Sequence, residues 1–215
     1  MKERTIVVKG VGSATAPVDL IIITTNISTI DLDYEESFFL NNKRTKEFKD
    51  ALINIGHDEF DIKTSNFNVN MVTESYKDSK GNYKSKFVGY NVSHKLKVEF
   101  PFDKLMLAKT IKAISKTEAH SNLSFTFSIK DEESLKKEVL RNAAINAREK
   151  AMILAEASKV TLGEVLNIDY SWKEVNIYSR SNFDIMMDYN VNVSADINPD
   201  DVQLEDVVTI IYSII

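Results

Sequence analysis

An α+β fold, with a mixed, largely antiparallel sheet and helices packed on one face, is predicted by three features of the 215-residue sequence. Runs rich in β-branched and aromatic residues alternate with period two near both ends and in the middle. Three other segments change to helical spacing, the last of them long and lined with alanine. The strand-like runs come mostly in pairs ahead of a helical one, in the order ββα-ββα-βα-β with a further strand, so neighbouring hairpins are antiparallel and strands joined through a helix are free to be parallel.

Thr5–Gly12 and Asp19–Ser28 read as an opening hairpin turned by Ser13-Ala-Thr-Ala-Pro17. From Asp33 a helical face runs through Phe38, Leu40, Thr45, Phe48, Leu52 and Ile55, with Gly56 placed for a left-handed cap. Ile62–Val72 and Phe87–Phe100 alternate around the polar turn 77–82, which makes a long second hairpin. Pro101-Phe-Asp-Lys opens a shorter helix through Leu105, Ala108, Ile111 and Ile114, and Asn122–Ile129 alternates again.

Asp131 starts the longest helix, which runs to about Ser158 and is about 40 Å long at 1.5 Å per residue. Its acidic start, Asp131-Glu-Glu, suits the positive end of the helix dipole. Ala143, Ala147, Ala151 and Ala155 form a small-residue ridge flanked by Val139 and Leu154, which permits close packing on a sheet or another helix. Glu164–Trp172 and Val202–Ile215 read as strands, with an irregular stretch at 173–199 between them. With no Gly/Ser-rich or Pro-rich linker and no repeat, residues 1–215 are expected to form a single domain.

Hydrophobic residues make up 43% of the chain and charged ones 27%, the balance of a protein with a sizeable core. Net charge is −5 and the basic residues are scattered, so a nucleic-acid partner is not expected. There is no cysteine, which excludes disulfides, thiolate nucleophiles and Cys-ligated metal centres. Met1-Lys-Glu-Arg-Thr-Ile-Val-Val has the basic start of an export signal without its apolar run, and no apolar stretch reaches the ~20 residues of a membrane helix. A soluble, cytoplasmic protein is expected from the chain as it stands, or an exported, cell-envelope protein if a signal peptide has been removed ahead of Met1.

Ordered along the chain, several fragments resemble the SIMPL domain family. They are Ile6-Val-Val-Lys-Gly-Val-Gly-Ser-Ala-Thr-Ala-Pro17 with Asp19, Ala51-Leu-Ile-Asn-Ile-Gly56 leading into Asp61-Ile-Lys-Thr-Ser-Asn-Phe67, Gly89-Tyr90, and the Ala-rich helix 142–155 ahead of Leu162-Gly-Glu-Val-Leu-Asn-Ile168. Val18 splits the Pro-Asp pair usual in the family. The resemblance implies a bacterial protein with an α+β fold, and a tendency, seen in some members, toward ring-like or channel-like oligomers at the cell envelope. It implies no established reaction and no catalytic residues.

Tested residue by residue, the sequence supports no chemistry. Gly10-x-Gly12 lacks a third glycine, a GK[ST] ending and a following helix, so a structural strand or bulge role is expected. His57, His94 and His120 fall in different elements, and His57-Asp-Glu-Phe-Asp61 reads as a solvated helix-to-strand loop. Asp196, Asp200, Asp201, Glu205 and Asp206 lack the ligand pattern of a calcium loop and read as a solvated turn. Arg148 and Lys150 suit either an ion pair to a neighbouring acid or subunit or a solvated helix face. No Gly-x-Ser-x-Gly elbow is present. Catalytic, cofactor and metal sites are therefore not expected, and the chain is read as not an enzyme.

The segment 175–189 crowds Ile177, Tyr178, Phe183, Ile185, Met186, Met187 and Tyr189 into a stretch of no clear period. These are the candidate interface residues if the segment is exposed, and the alternative is that it folds back over the sheet or adds a strand. The function expected is a non-catalytic protein that self-assembles into a homo-oligomer through this segment and exposed sheet edges. The competing expectation is a small-ligand or peptide-binding module.

Overall fold

The computed structural model describes residues 4–119, 122–171, 177–181, 183–185 and 197–215. In chain order the elements are β1 (Thr5–Ala16), β2 (Leu20–Asp31), α1 (Tyr34–Ile53), β3 (Ile62–Lys77), β4 (Tyr83–Pro101), α2 (Lys104–Ile114), β5 (Asn122–Ser128), α3 (Glu132–Ala157), β6 (Leu162–Asp169), β7 (Phe183–Ile185) and β8 (Val202–Ile214). The α+β class holds, with the strands shared between two sheets, β1-β8-β6 and β3-β4-β2-β5-β7. The pairs β1/β8, β2/β4, β3/β4, β5/β7 and β6/β8 are antiparallel. The chain divides into two compact units, one of residues 1–19, 127–180 and 199–215, the other of residues 20–126 and 181–198.

In the first unit α3 lies on β1 and β8. Asp131 caps it by accepting the Ser134 N–H at 3.0 Å, and these bonds from Ser134 hold the Asp131 carboxyl below the ordinary carboxylate range. Ala143, Ala147 and Ala151 are buried against Val8, Val208, Ile210 and Tyr212, while Leu135 and Val139 pack with Ala14, Ile129, Ile177, Val202 and Leu204. Leu154, expected to flank the ridge, is exposed. The alanines meet glycines: a Cβ on Gly10 would stand 2.6 Å from the Ala147 nitrogen and overlap the Ala143 carbonyl oxygen, and one on Gly12 would overlap backbone atoms of Val139 and Ala143. Gly10-x-Gly12 is where helix and strand backbones touch.

The expected opening hairpin does not form: β1 pairs with β8, and β2 with β4. Pro17-Val18-Asp19 has no glycine or asparagine for a two-residue hairpin turn. Instead Asp19 donates its N–H to the Ser128 carbonyl at 3.1 Å and accepts the Lys130 N–H at 2.7 Å, which fixes the connection to the end of β5. Among the described strands β1 is an edge of its sheet, and α3 covers that edge. Asn142 donates to the Ser13 carbonyl, Asn146 accepts the Val11 N–H and Lys150 donates to the Lys9 carbonyl, each at 3.0 Å, so one helical row satisfies backbone groups a lone edge leaves open.

In the second unit α1 lies on β2 and β4 beside α2. Asp33 caps α1 by accepting the N–H groups of Glu35 and Glu36 at 2.7 and 3.1 Å. The buried face of α1 is Ser37, Asn41, Thr45, Phe48 and Leu52, so Thr45, Phe48 and Leu52 of the expected row are buried while Phe38 and Leu40 give way to Ser37 and Asn41. Its first half is a polar seam: the Ser37 hydroxyl donates toward the Thr29 and Tyr90 carbonyls, and the Asn41 amide donates to the Ile27 and Val92 carbonyls at 2.9 and 3.0 Å. Residues at every fourth position thus fasten one helix to two strands. Pro101 closes β4 opposite Leu20, and Asp103, not the proline, starts α2 by capping Leu105 and Met106.

The β3/β4 hairpin is longer than the alternation suggested, pairing Ile62 with Val98 at one end and Lys77 with Tyr83 at the other. Asp78 shapes its turn by accepting N–H bonds from Lys80 and Asn82 at 2.9 and 3.0 Å, which hold its carboxyl below the ordinary range, and Gly81 takes the positive φ of 81°. Because β2 reaches only as far as Tyr90, the outer part of the hairpin is a two-stranded ribbon.

Candidate functional site

Two surface features of the second unit stand out. The first is an open groove of about 700 Å3 between α1 and α2, with Ala51, Ile55 and Ala113 among its lining and Lys43, Lys46, Lys109, Lys112 and Lys116 around it. Among the described lining residues only Glu47 and Asp50 oppose those five cations, on a chain whose net charge is −5. One Glu47 oxygen is already engaged, accepting the Glu118 N–H at 3.1 Å. Among the described residues none of the five lysines is in an ion pair. A local excess of positive charge beside apolar side chains attracts an anion that also carries apolar surface.

The second feature is an aromatic strip on the helix side of the sheet. Phe38 meets the Phe67 ring edge-on at 5.9 Å, Phe67 meets His94 at 5.2 Å, and Tyr90 is flanked by Tyr34 at 5.7 Å and Phe87 at 5.3 Å. The rings contact one another yet remain open to solvent: Tyr34, Phe38, Phe67 and Phe87 are exposed, and Met71, paired with Tyr90, is 66% exposed. Clustered aromatic and methionine side chains at a surface are the composition of an interface centre.

Of the seven candidate interface residues, Ile177 is buried in the core of the first unit and Tyr178 is exposed. Phe183 and Ile185 lie on β7, the strand that pairs with β5. Met186, Met187 and Tyr189 lie outside the described residues.

His57 does not share the solvation of the loop that follows it. It is buried, its Nε2 bonded to the Thr110 hydroxyl at 2.7 Å and its ring edge-on to Phe100 at 4.8 Å, while Asp58–Asp61 are exposed. Loss of solvent lowers its pKa, against the opposing charge of Asp61. His94 is lowered in the same way, with Lys49 adding to the effect, and sits between the hydroxyls of Thr45 and Thr64 at 3.3 and 2.8 Å. His120 and Asp196 lie outside the described residues. Asp206 accepts the Tyr170 hydroxyl at 2.8 Å, and desolvation together with that carboxylate pushes the phenol up to about 12. Among the described residues no three His, Cys, Asp or Glu side chains gather as metal ligands, and no helix is long and apolar enough to cross a membrane. Arg148 is exposed, whereas Lys150 bonds a strand carbonyl.

The described surface thus defines an α+β protein with a basic groove and an exposed aromatic strip. The chain belongs to the SIMPL family, described as "Protein of unknown function (DUF541)", whose match covers residues 6–212 and so runs through both units. No curated protein matches the chain.

Proposed function

We propose that this chain is a non-catalytic protein that assembles with copies of itself. The observation that carries this reading is the aromatic strip: Tyr34, Phe38, Phe67, Met71 and Phe87 leave apolar surface in water beside the outer strand of a sheet. Met186, Met187 and Tyr189 remain candidates for the same contact. Light scattering across a wide concentration range is expected to give a mass rising above the 24.4 kDa of one chain. Phe67→Asp with Met71→Asp is expected to return the mass to the monomer value, since both positions are exposed on the strip. A wild-type chain that stays monomeric at every concentration ends the proposal.

The lysine groove favours a second reading, a module that binds an acidic amphipathic peptide along α1 and α2. A fluorescent helical peptide with glutamates on one face is expected to bind at low salt, to weaken as salt is raised, and to lose affinity when Lys46 and Lys112 become Glu. Anisotropy unchanged by the protein at low salt rules this reading out.

A further inference from the structure

The two sheets treat their edges differently. β1 is covered by the side chains of α3, and β6 is broken by two register shifts. β3 is 16 residues long and pairs only with β4 among the described strands. Its lysines, Lys63 and Lys77, lie toward the ends, and its register with β4 shifts at Ser65 and again between Val72 and Thr73. Between them, residues 66–72 pair with β4 without a break and carry no lysine, proline or bulge, the devices that normally protect an edge.

This open stretch reads Asn66-Phe-Asn-Val-Asn-Met-Val72, and its centre, Phe67-Asn-Val-Asn-Met71, has nearly the same character in either direction. Such a sequence is complementary to itself in an antiparallel pairing. We propose that β3 pairs with β3 of a second copy about a two-fold axis at Val69, joining two five-stranded sheets edge to edge; this deepens, and rests on, the self-assembly reading. Val69 then faces its own copy, Phe67 faces Met71, and Asn68 faces Asn70, each of the last two pairs occurring twice.

The symmetry follows from the faces. A two-fold perpendicular to the sheet makes an antiparallel pair and keeps the same face of both copies on the same side. On the helix side the pairing sets Phe67, already against Phe38 and His94, next to Met71, whose β4 neighbour is Tyr90, so the aromatic strip runs on into the partner. The other face carries a polar ladder in which Ser93 donates to Asn26 at 2.7 Å and Ser28 to Asn91 at 2.6 Å. Asn68 and Asn70 pair with Ser93 and Asn91 in β3/β4, so they extend that ladder to the edge where the second copy continues it.

The test uses the full chain, which has no cysteine. Val69→Cys is expected to form a disulfide-linked dimer on mild oxidation, because paired Cβ atoms lie about 4.5–5.5 Å apart, whereas Asn66→Cys, which faces Val72, is expected to link at least ~10-fold more slowly. Asn68→Lys with Asn70→Lys places lysine against lysine twice and is expected to weaken association at least ~10-fold, while Asn68→Lys with Asn70→Glu places lysine against glutamate twice and is expected to stay within ~3-fold of wild type. Circular dichroism and melting of each variant establish that it is folded. If the wild type associates but Val69→Cys does not link and the double-lysine variant associates as before, the β3 pairing is overturned and self-assembly stands. If the wild type is monomeric throughout, both fall.

Discussion

Gly10→Ala is expected to destabilise the protein by about 3 kcal/mol, the upper part of the range for overpacking, although it adds a single methyl group. The methyl meets backbone atoms: it overlaps the Ala143 carbonyl oxygen and comes within 2.6 Å of the Ala147 nitrogen, with the Ala147 Cβ at 2.7 Å. A side chain can rotate away, but a helix carbonyl moves only with its helix. Shifting α3 would open its contacts with Val8, Val208, Ile210 and Tyr212 and lengthen the bonds by which Asn142, Asn146 and Lys150 cover the edge of β1. For a chain of this size the melting midpoint should fall by roughly 6–12 °C. Two comparisons locate the cause. Ser13→Ala, on the exposed row of the same strand, is expected to change stability by less than about 0.5 kcal/mol. Adding Ala147→Gly to Gly10→Ala relieves the Cβ contact and leaves the carbonyl overlap, so it is not expected to restore the midpoint. Gly10→Ala melting with the wild type would mean that α3 does not lie this close to β1.

That close approach explains which parts of the fold were legible in the sequence. The ridge Ala143–Ala147–Ala151–Ala155 was readable because small residues at every fourth position have few uses besides close packing, and the glycines two apart on β1 are its counterpart on a strand. Their partnership was not readable, since Ala143 lies 131 positions after Gly12 and no local pattern encodes it. The same non-locality defeats the opening hairpin: adjacency favours β1 with β2, but β1 takes its partner from the C-terminal strand. On α1 the error had another source. Hydrophobic spacing selects Thr45, Phe48 and Leu52, which are buried, but also Phe38 and Leu40, whereas in the first half Ser37 and Asn41 face the sheet because it offers them carbonyls. Excluded from that face, Phe38 becomes part of the exposed strip. The groove was invisible for a simpler reason, as its lysines sit on helices far apart in sequence and each helix alone has an ordinary solvated face. Asn68 and Asn70 acquire meaning only once β3 is known to be an edge.

The polar seam makes the second large effect specific to chemistry instead of shape. Asn41 is fully buried, and its amide group donates to the Ile27 carbonyl on β2 and the Val92 carbonyl on β4. Asn41→Asp keeps the shape and replaces the donor by an oxygen aimed at two other oxygens. At pH 7.5 the substitution is expected to cost about 4 kcal/mol, the scale of an uncompensated buried charge. Asn41→Leu fills similar space and forfeits both bonds without burying a charge, so about 2 kcal/mol is expected. The pH dependence separates the two. In the folded Asp variant, burial and the facing carbonyls raise the new carboxyl's pKa above its unfolded value of about 3.9. Between those two values the folded state binds more protons than the unfolded one, so the variant loses stability as pH rises through that window and the loss is complete above the folded pKa. Lowering the pH from 7.5 to 5 should therefore narrow the gap between Asn41→Asp and Asn41→Leu, because a protonated carboxyl regains one donor for the strand carbonyls. Urea unfolding of both variants at the two pH values measures this. Equal losses for Asp and Leu at every pH would show that Asn41 fills space between helix and sheet without donating to either strand.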